Sequence, residues 1–321
     1  MTALQPRRDL QPAAADGAPT DRVARLGDYV SLTKPRIIEL LLITTFPVMF
    51  LAYGGIPPVG LVLATLVGGT LSAASANVFN CILDRDIDRL MRRTEGRPLA
   101  QGIIPVRHAV VFGTVLGVLS VAVLWLLVNP LSAALSFAAI LLYVVFYTII
   151  LKRRTAQNIV WGGVAGCMPV LIGWSAVTNS LDWAPVVLFL VVFFWTPPHY
   201  WPLSMRFKDD YEAAGVPMLP VVAEDTKVAR QIVAYAWVTA AASLLLIPVA
   251  GMGWIYSVTA LLAGGVFVAE SHALLRRAKD PENTTLTQLR PMRLFHYSIS
   301  YLTLVFVGVA VDPLFHFPLP L

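Results

Sequence analysis

The chain has 321 residues, of which 57% are hydrophobic and only 13% charged, with a mean hydropathy of +0.70. Soluble domains carry about a quarter charged residues to keep their surfaces wet, so two soluble domains of this total length are excluded. The two cysteines, Cys81 and Cys167, lie in apolar segments and form neither a disulfide framework nor a Cys-x-x-Cys site; the net charge of +5 is distributed as in a membrane protein, not a nucleic-acid binder.

Residues 1–27 read as a disordered cytoplasmic tail, rich in Ala, Pro, Asp and Arg. They hold no apolar run for a secretory signal, and Asp9, Asp16 and Asp21 are out of place in an organellar transit peptide. Residues 28–321 read as a single transmembrane domain. Nine apolar blocks follow, at 37–54, 59–83, 108–128, 131–151, 158–178, 183–204, 229–250, 254–275 and 293–311. About twenty residues at ~1.5 Å each cross a ~30 Å hydrocarbon core, and backbone groups there must be satisfied within the segment. The expected fold is therefore all-α, a polytopic membrane protein built as a bundle of nine transmembrane helices.

The connections sort by charge. Lys and Arg number 6 in residues 1–36, 6 in 85–107, 3 in 152–154, 4 in 206–230 and 5 in 276–293, which accounts for all 24. The loops on the other side carry only Asp182 and Asp312. Positive residues stay on the cytoplasmic side, so the N-terminus is expected inside and the C-terminus outside.

The densest charge follows the second span. Asn80, Asp84 and Asp88 are spaced by four, so on a helix they form one stripe drifting about 40° per step. Like charges at that spacing repel, the more so where they are poorly solvated, and a hard divalent cation would neutralise them. Mg²⁺ takes oxygen ligands, typically one or two carboxylates completed by water and phosphates. Nearby arginines, Arg85, Arg93 and Arg97, would clamp phosphate oxygens. A second acidic patch, Lys208-Asp209-Asp210-Tyr211-Glu212, follows span six, and Lys152-Arg153-Arg154 follows span four. In a bundle the acidic patch is placed to face the first stripe. An ordinary solvated loop is the competing reading of the two acidic segments, and a positive-inside anchor that of Lys152-Arg153-Arg154.

These residues carry a resemblance. Asn80-x-x-x-Asp84-x-x-x-Asp88 followed by Arg93-Thr94-x-x-Arg97-Pro98 resembles the signature of the UbiA superfamily of intramembrane prenyltransferases. Four further stretches resemble the branch of that superfamily whose acceptor is haem. They are Leu32-Thr33-Lys34-Pro35-Arg36, the segment Tyr147 to Asn158 with Lys152-Arg153-Arg154-Thr155, Trp195-Thr196-Pro197-Pro198-His199-Tyr200-Trp201, and Asp210-Tyr211-x-x-Ala214-Gly215-Val216-Pro217. The resemblance covers residues 28–312.

The resemblance implies nine helices around a cytoplasm-facing cavity and Mg²⁺ held on a prenyl diphosphate. It assigns the catalytic and metal-holding set to Asn80, Asp84, Asp88 and Asp210, and diphosphate contacts to Arg85, Arg93, Arg97, Lys152, Arg153 and Lys208. The second motif departs from the superfamily's Asp-x-x-x-Asp pair, since Phe207 and Tyr211 occupy that spacing. The implied substrates are farnesyl diphosphate and haem b, with His199, Trp201 and His296 toward the haem. The expected setting is a bacterial inner membrane, and a downstream haem-modifying enzyme of the haem-copper oxidase pathway is an expected partner. Trp174 and Trp195 are stacking residues on this reading, while Glu39 and Glu270 are intramembrane acids without an assigned role. Two other readings stay open: prenyl transfer to an aromatic quinone precursor, and a transporter using the acids as an ion path.

Overall fold

A computed structural model describes residues 23–283, 285–315 and 317–319; the expected tail lies outside the described residues up to position 22. Among the described residues there are nine long apolar helices and no strand. They are α1 (Pro35–Tyr53), α2 (Val59–Leu83), α3 (Val106–Leu127), α4 (Pro130–Leu151), α5 (Asn158–Thr178), α6 (Trp183–Arg206), α7 (Asp225–Ala250), α8 (Trp254–Lys279) and α9 (Pro291–Phe315). Each of the nine expected spans coincides with one of them. Short helices at Leu26–Leu32, Arg85–Asp88, Lys208–Ala213, Leu219–Val222 and Leu286–Leu289 all lie on the cation-bearing side.

Two groups of helices share the centre. Helices α2, α3 and α4 pack together, α6 to α9 pack together, and α1 and α5 run between the groups, with α9 returning against both α1 and α6. Lipid tails are as apolar as leucine, so burial of apolar surface does not drive these helices together; close approach and polar contacts do. The seam between α2 and α3 shows this. Ser75 Oγ donates to the Gly113 carbonyl at 2.8 Å and Ser120 Oγ to the Gly68 carbonyl at 2.7 Å. A Cβ on Gly68 would sit 2.5 Å from Leu124 Cγ, so only glycine admits that approach.

Helix α4 changes pitch. From Leu142 to Leu151 it is π-helical, with Lys152 N–H bonded to the Tyr147 carbonyl at 2.9 Å. Thr148 Oγ1 also donates to the Tyr143 carbonyl, five residues back, at 2.8 Å. The widened turn pushes the Tyr147 ring against α5, where Gly162 leaves room for it. Such bulges recur at functional sites because they re-aim the side chains that follow; here the next residue is Lys152. Helix α6 carries Pro197, Pro198 and Pro202 yet continues as one helix to Arg206. Neighbouring helices and polar side chains tolerate the lost N–H donors in a membrane bundle.

At the end opposite the cations, Asp312 is 1% exposed. Its two oxygens accept the backbone N–H groups of Gly253, at 2.7 Å, and Tyr256, at 3.0 Å, at the start of α8. A carboxylate from α9 therefore caps α8, satisfying amides that no intrahelical partner can reach and meeting the positive end of the helix dipole.

Candidate active site

The acid stripe straddles a break. Helix α2 ends at Leu83, and Asp84 takes φ −93°, ψ 0° before the single turn Arg85–Asp88. The four-residue ladder survives the break: Asp84 N–H bonds the Asn80 carbonyl at 2.9 Å, and Asp88 N–H bonds the Asp84 carbonyl at 2.8 Å. The stripe expected on a continuous helix is thus kept in register across a helix end. All three side chains are buried, with Asp84 fully so.

Each stripe residue meets a cation from a different segment. Lys34, at the junction before α1 with φ 53°, donates from Nζ to Asn80 Oδ1 at 2.6 Å. Lys152 Nζ donates to Asp84 Oδ2 at 2.5 Å, and Asn80 Nδ2 donates to the same oxygen at 2.8 Å and to Thr148 Oγ1 at 3.1 Å. Arg97 Nη1 lies 2.9 and 2.7 Å from the two oxygens of Asp88. Asn158 braces the turn that presents Lys152, donating to its carbonyl at 3.3 Å and to the Thr155 carbonyl at 2.7 Å. Burial pushes the Lys34 ammonium down to about 8. That is the expected sign for a cation taken out of water.

The remaining basic residues divide. Arg153 grips Asp86 with two guanidinium nitrogens at 2.6 and 2.7 Å and approaches Asp84 Oδ1 at 3.9 Å. This charge-assisted pair holds Asp86 down to about 2. Arg85 is exposed and lines a groove of about 430 Å³ with Asp86, Thr148 and Arg153. Arg93 meets the second patch: its backbone N–H donates to Asp210 Oδ2 at 3.2 Å and its guanidinium donates to Tyr211 Oη at 3.2 Å. The same guanidinium lies 5.1 Å from the Phe207 ring centroid, so Phe207 and Tyr211, which break the acidic spacing, instead seat an arginine. Lys208 is partly buried at the start of its short helix, while Asp209 and Glu212 are exposed.

The four residues expected to hold metal are not gathered into one shell. Among the described residues, no three His, Cys, Asp or Glu side chains form a metal cluster. Asp88 has both oxygens on Arg97, and Asp210 sits on a separate segment against Arg93. Asp84 differs: its Oδ1 is buried and makes no hydrogen bond. An uncommitted carboxylate oxygen beside the Asn80 carboxamide is the donor type Mg²⁺ prefers, and Mg²⁺ often takes only one or two carboxylates. The residues present fit the ion around Asp84.

The haem-directed residues separate as well. His199 on α6 packs against α9 through Ser298 and Phe295. Trp201 is fully buried, edge-on to Tyr235 at 5.5 Å, with an indole Nε1 that has no acceptor. His296 is exposed on α9, two positions from the buried Ser298 that meets His199. Trp195 Nε1 donates to the Ser298 carbonyl at 2.8 Å, whereas Trp174 reaches Asp182 at the opposite end of the bundle. Glu39 is exposed on α1. Glu270 is buried and paired with Arg277 at 2.9 Å and Arg293 at 3.2 Å, tying α8 to α9.

Several site residues escaped the spacing argument. Lys34 was visible only as part of a Lys-Pro-Arg segment. Thr148 and Tyr143 read as ordinary span residues, and Tyr147, Tyr200 and Tyr211 entered only as parts of the resembling segments, with no role assigned to their hydroxyls. Tyr200 and Tyr211 join their hydroxyls at 2.9 Å, linking α6 to the segment that meets Arg93.

A helical membrane bundle with a buried, cation-flanked acid stripe at one end is the architecture of an intramembrane prenyltransferase. The sequence profile of the UbiA prenyltransferase family matches residues 41–299, and the chain belongs to that family and is a prenyl-transferring enzyme. Along nearly its whole length it is similar to proteins named protoheme IX farnesyltransferase. That of Streptomyces avermitilis is 61% identical over 290 residues, 90% of this chain and 94% of the relative. Among solved structures, a digeranylgeranylglyceryl phosphate synthase matches with a TM-score of 0.72 at 18% identity, over 90% of this chain and 98% of that one. A UbiA homologue from Archaeoglobus fulgidus bound to DMAPP and Mg²⁺ matches with a TM-score of 0.64 at 16% identity, over 88% and 99%. At such identities the likeness is one of fold.

Proposed function

We propose that the protein farnesylates haem b, converting haem b, farnesyl diphosphate and water to haem O and diphosphate. The supporting observation is the carboxylate of Asp84, buried with one oxygen uncommitted and ringed by Lys152, Arg153 and, through Asn80, Lys34. The name borne by the Streptomyces avermitilis relative supplies the substrates.

In the proposed reaction the C1–O bond of the farnesyl donor breaks and diphosphate departs with the electron pair, leaving an allylic cation. A haem vinyl group attacks that cation, and the carbon left electron-poor takes hydroxide from water, releasing a proton. Lys152, Arg153, Arg97 and Arg93, with Arg85 and Lys208 at the rim, would bind the diphosphate oxygens and stabilise charge growing on the leaving group. Asp84 would hold Mg²⁺ through its free oxygen, with Asn80 joining once Lys34 turns to phosphate, Asp88 once Arg97 does, and Asp210 from the facing segment. The ion bound there would add Lewis-acid stabilisation of the leaving group. The apolar bundle would exclude water from the cation until the vinyl carbon has reacted. His199 and Trp201, with His296 further out, face the haem in this reading.

The proposal includes the setting. Residues 28–321 act as one domain in a bacterial inner membrane, with the cation-bearing end and N-terminus cytoplasmic and the C-terminus outside. A haem-modifying enzyme of the haem-copper oxidase pathway takes the product. The test is incubation of purified protein in lipid nanodiscs with haem b, farnesyl diphosphate and Mg²⁺, followed by pigment mass analysis. A hydroxyethylfarnesyl haem formed only in the complete mixture is expected. Unchanged haem alongside prenylated hydroxybenzoate would overturn the acceptor.

A further inference from the structure

The surroundings of His199 determine which of its nitrogens is protonated. The ring lies between two others: the Trp195 indole at 4.1 Å and 15° on one side, and Phe295 at 4.7 Å and 24° on the other. Both faces are covered, so a ligand can approach only along the ring edge. On that edge Nδ1 is 2.8 Å from Ser298 Oγ. The hydroxyl is in turn 2.6 Å from the Phe295 carbonyl oxygen. A serine hydroxyl has one proton, and a carbonyl can only accept. The proton must point at Phe295, so Ser298 Oγ accepts from Nδ1–H. A neutral imidazole protonated at Nδ1 keeps its lone pair on Nε2. Among the described residues Nε2 has no hydrogen-bond partner, and it is not among the buried, unpartnered polar atoms.

We infer that Ser298 is a positioning residue that locks His199 in the Nδ1–H form and presents Nε2 as an axial ligand to the iron of the haem substrate. The inference rests on the reading that haem is the acceptor. An Nε2 lone pair could also serve a general base, but a base gains from a carboxylate at Nδ1 that stabilises the imidazolium. Here Nδ1 meets a neutral hydroxyl between two apolar rings, which favours a permanently neutral imidazole. That is the state a metal ligand requires, and a hydrogen bond at the other nitrogen commonly sets its orientation and basicity. Trp195 strengthens the arrangement, because its indole N–H is anchored to the carbonyl of the same Ser298 at 2.8 Å.

The test titrates haem b into full-length protein in nanodiscs, and reads affinity together with the iron–histidine stretch of the ferrous complex. Binding of a non-hydrolysable farnesyl thiodiphosphate serves as a second readout of an intact fold. Ser298→Ala is expected to keep thiodiphosphate binding, weaken haem binding about 10- to 100-fold and shift the stretch, with Ser298→Thr restoring both. Should the alanine variant fail to fold, Ser298→Cys, close in volume but a far weaker acceptor, is read in the same way. Wild-type affinity and stretch in the Ser298 variant, with His199→Ala losing the stretch, would overturn the role of Ser298 and leave ligation by His199 standing. An unchanged spectrum in His199→Ala would instead defeat the ligation on which the inference depends. Joint loss of haem and thiodiphosphate binding in both the Ala and Cys variants would assign Ser298 to packing.

Discussion

At one end of the bundle Asp84 and Asp88 are buried against Lys152 and Arg97; at the other Asp312, equally buried, is held by the backbone amides of Gly253 and Tyr256. The burden is the same in both places, since a carboxylate removed from water must find partners for its charge. The partners differ in what they can do next. Lysine and arginine side chains have rotatable stems and can turn from a carboxylate to an incoming phosphate. The amides at the start of α8 are fixed by the helix and can serve only that one acid. In the proposed reaction the cation-rich end therefore exchanges partners, while the opposite end stays closed.

The largest test removes one exchangeable partner. Lys152→Met leaves Asp84, 1% exposed on its side chain, with its strongest counter-charge gone. Breaking a buried pair from one side costs about 3–5 kcal/mol, so a large fall in thermal midpoint is expected along with loss of transfer. Adding Asp84→Asn to that variant removes the stranded charge. Stability is expected to recover while transfer does not, and recovery of both would mean that the pair is structural.

Asp84→Asn alone keeps shape and hydrogen bonds but removes charge. Prenyl transfer is expected to fall about 10²–10³-fold, the size of losing one electrostatic contact to the leaving group, here the Mg²⁺ that Asp84 would hold. Withdrawing Mg²⁺ with a chelator should give a loss of similar size in the wild type and little further loss in the variant. Full Mg²⁺-dependent transfer by Asp84→Asn would erase the distinction between the two ends.

The same contrast explains what the sequence made legible. The spans could be read because a lipid-crossing helix must be long and continuously apolar, a constraint that leaves its mark on every residue. The Asn80, Asp84 and Asp88 stripe could be read because four-residue spacing is local, and it survived even the helix end at Leu83. Asp312 was legible only as a charge in an outer loop, because its partners are backbone amides more than fifty positions earlier, which no residue type signals. Lys34 and Ser298 escaped for a related reason. Each makes its contacts across the bundle, Lys34 with Asn80 and Ser298 with His199 and Trp195, and a lysine before a proline or a serine in a span has many ordinary uses. The π-helical turn that aims Lys152 left no compositional trace at all. The second acidic patch was placed near the first, and it meets the site through Arg93, whose guanidinium sits over Phe207 and Tyr211.

At the closed end, Asp312→Ala should act on stability alone. It leaves two buried amides without acceptors, at about 1–3 kcal/mol, and removes an anion from a helix N-terminus. A lower thermal midpoint in detergent is expected, with transfer per folded molecule unchanged below that temperature. A tenfold fall in transfer at full folding would show that this end communicates with the site.

The smallest effect belongs to Asp86, which has a side-chain cation like Asp84 but is 60% exposed. Its pair with Arg153 is bidentate and holds the carboxyl down to about 2. A depressed carboxyl contributes stability that is present above its ordinary value near 4 and is lost as pH falls toward 2. Water and salt screen an exposed pair, so the contribution at neutral pH is expected to stay below about 1 kcal/mol. Asp86→Asn should therefore lower the thermal midpoint slightly at low salt and pH 7, with the difference fading both in concentrated salt and on acidification. A change as large as that of Lys152→Met would mean that the groove-side pair carries load for the buried one. Arg153 could carry that load through its approach to Asp84 at 3.9 Å and its bond to the Leu83 carbonyl at 2.9 Å, and a double variant with Arg153→Met would reveal it as non-additivity.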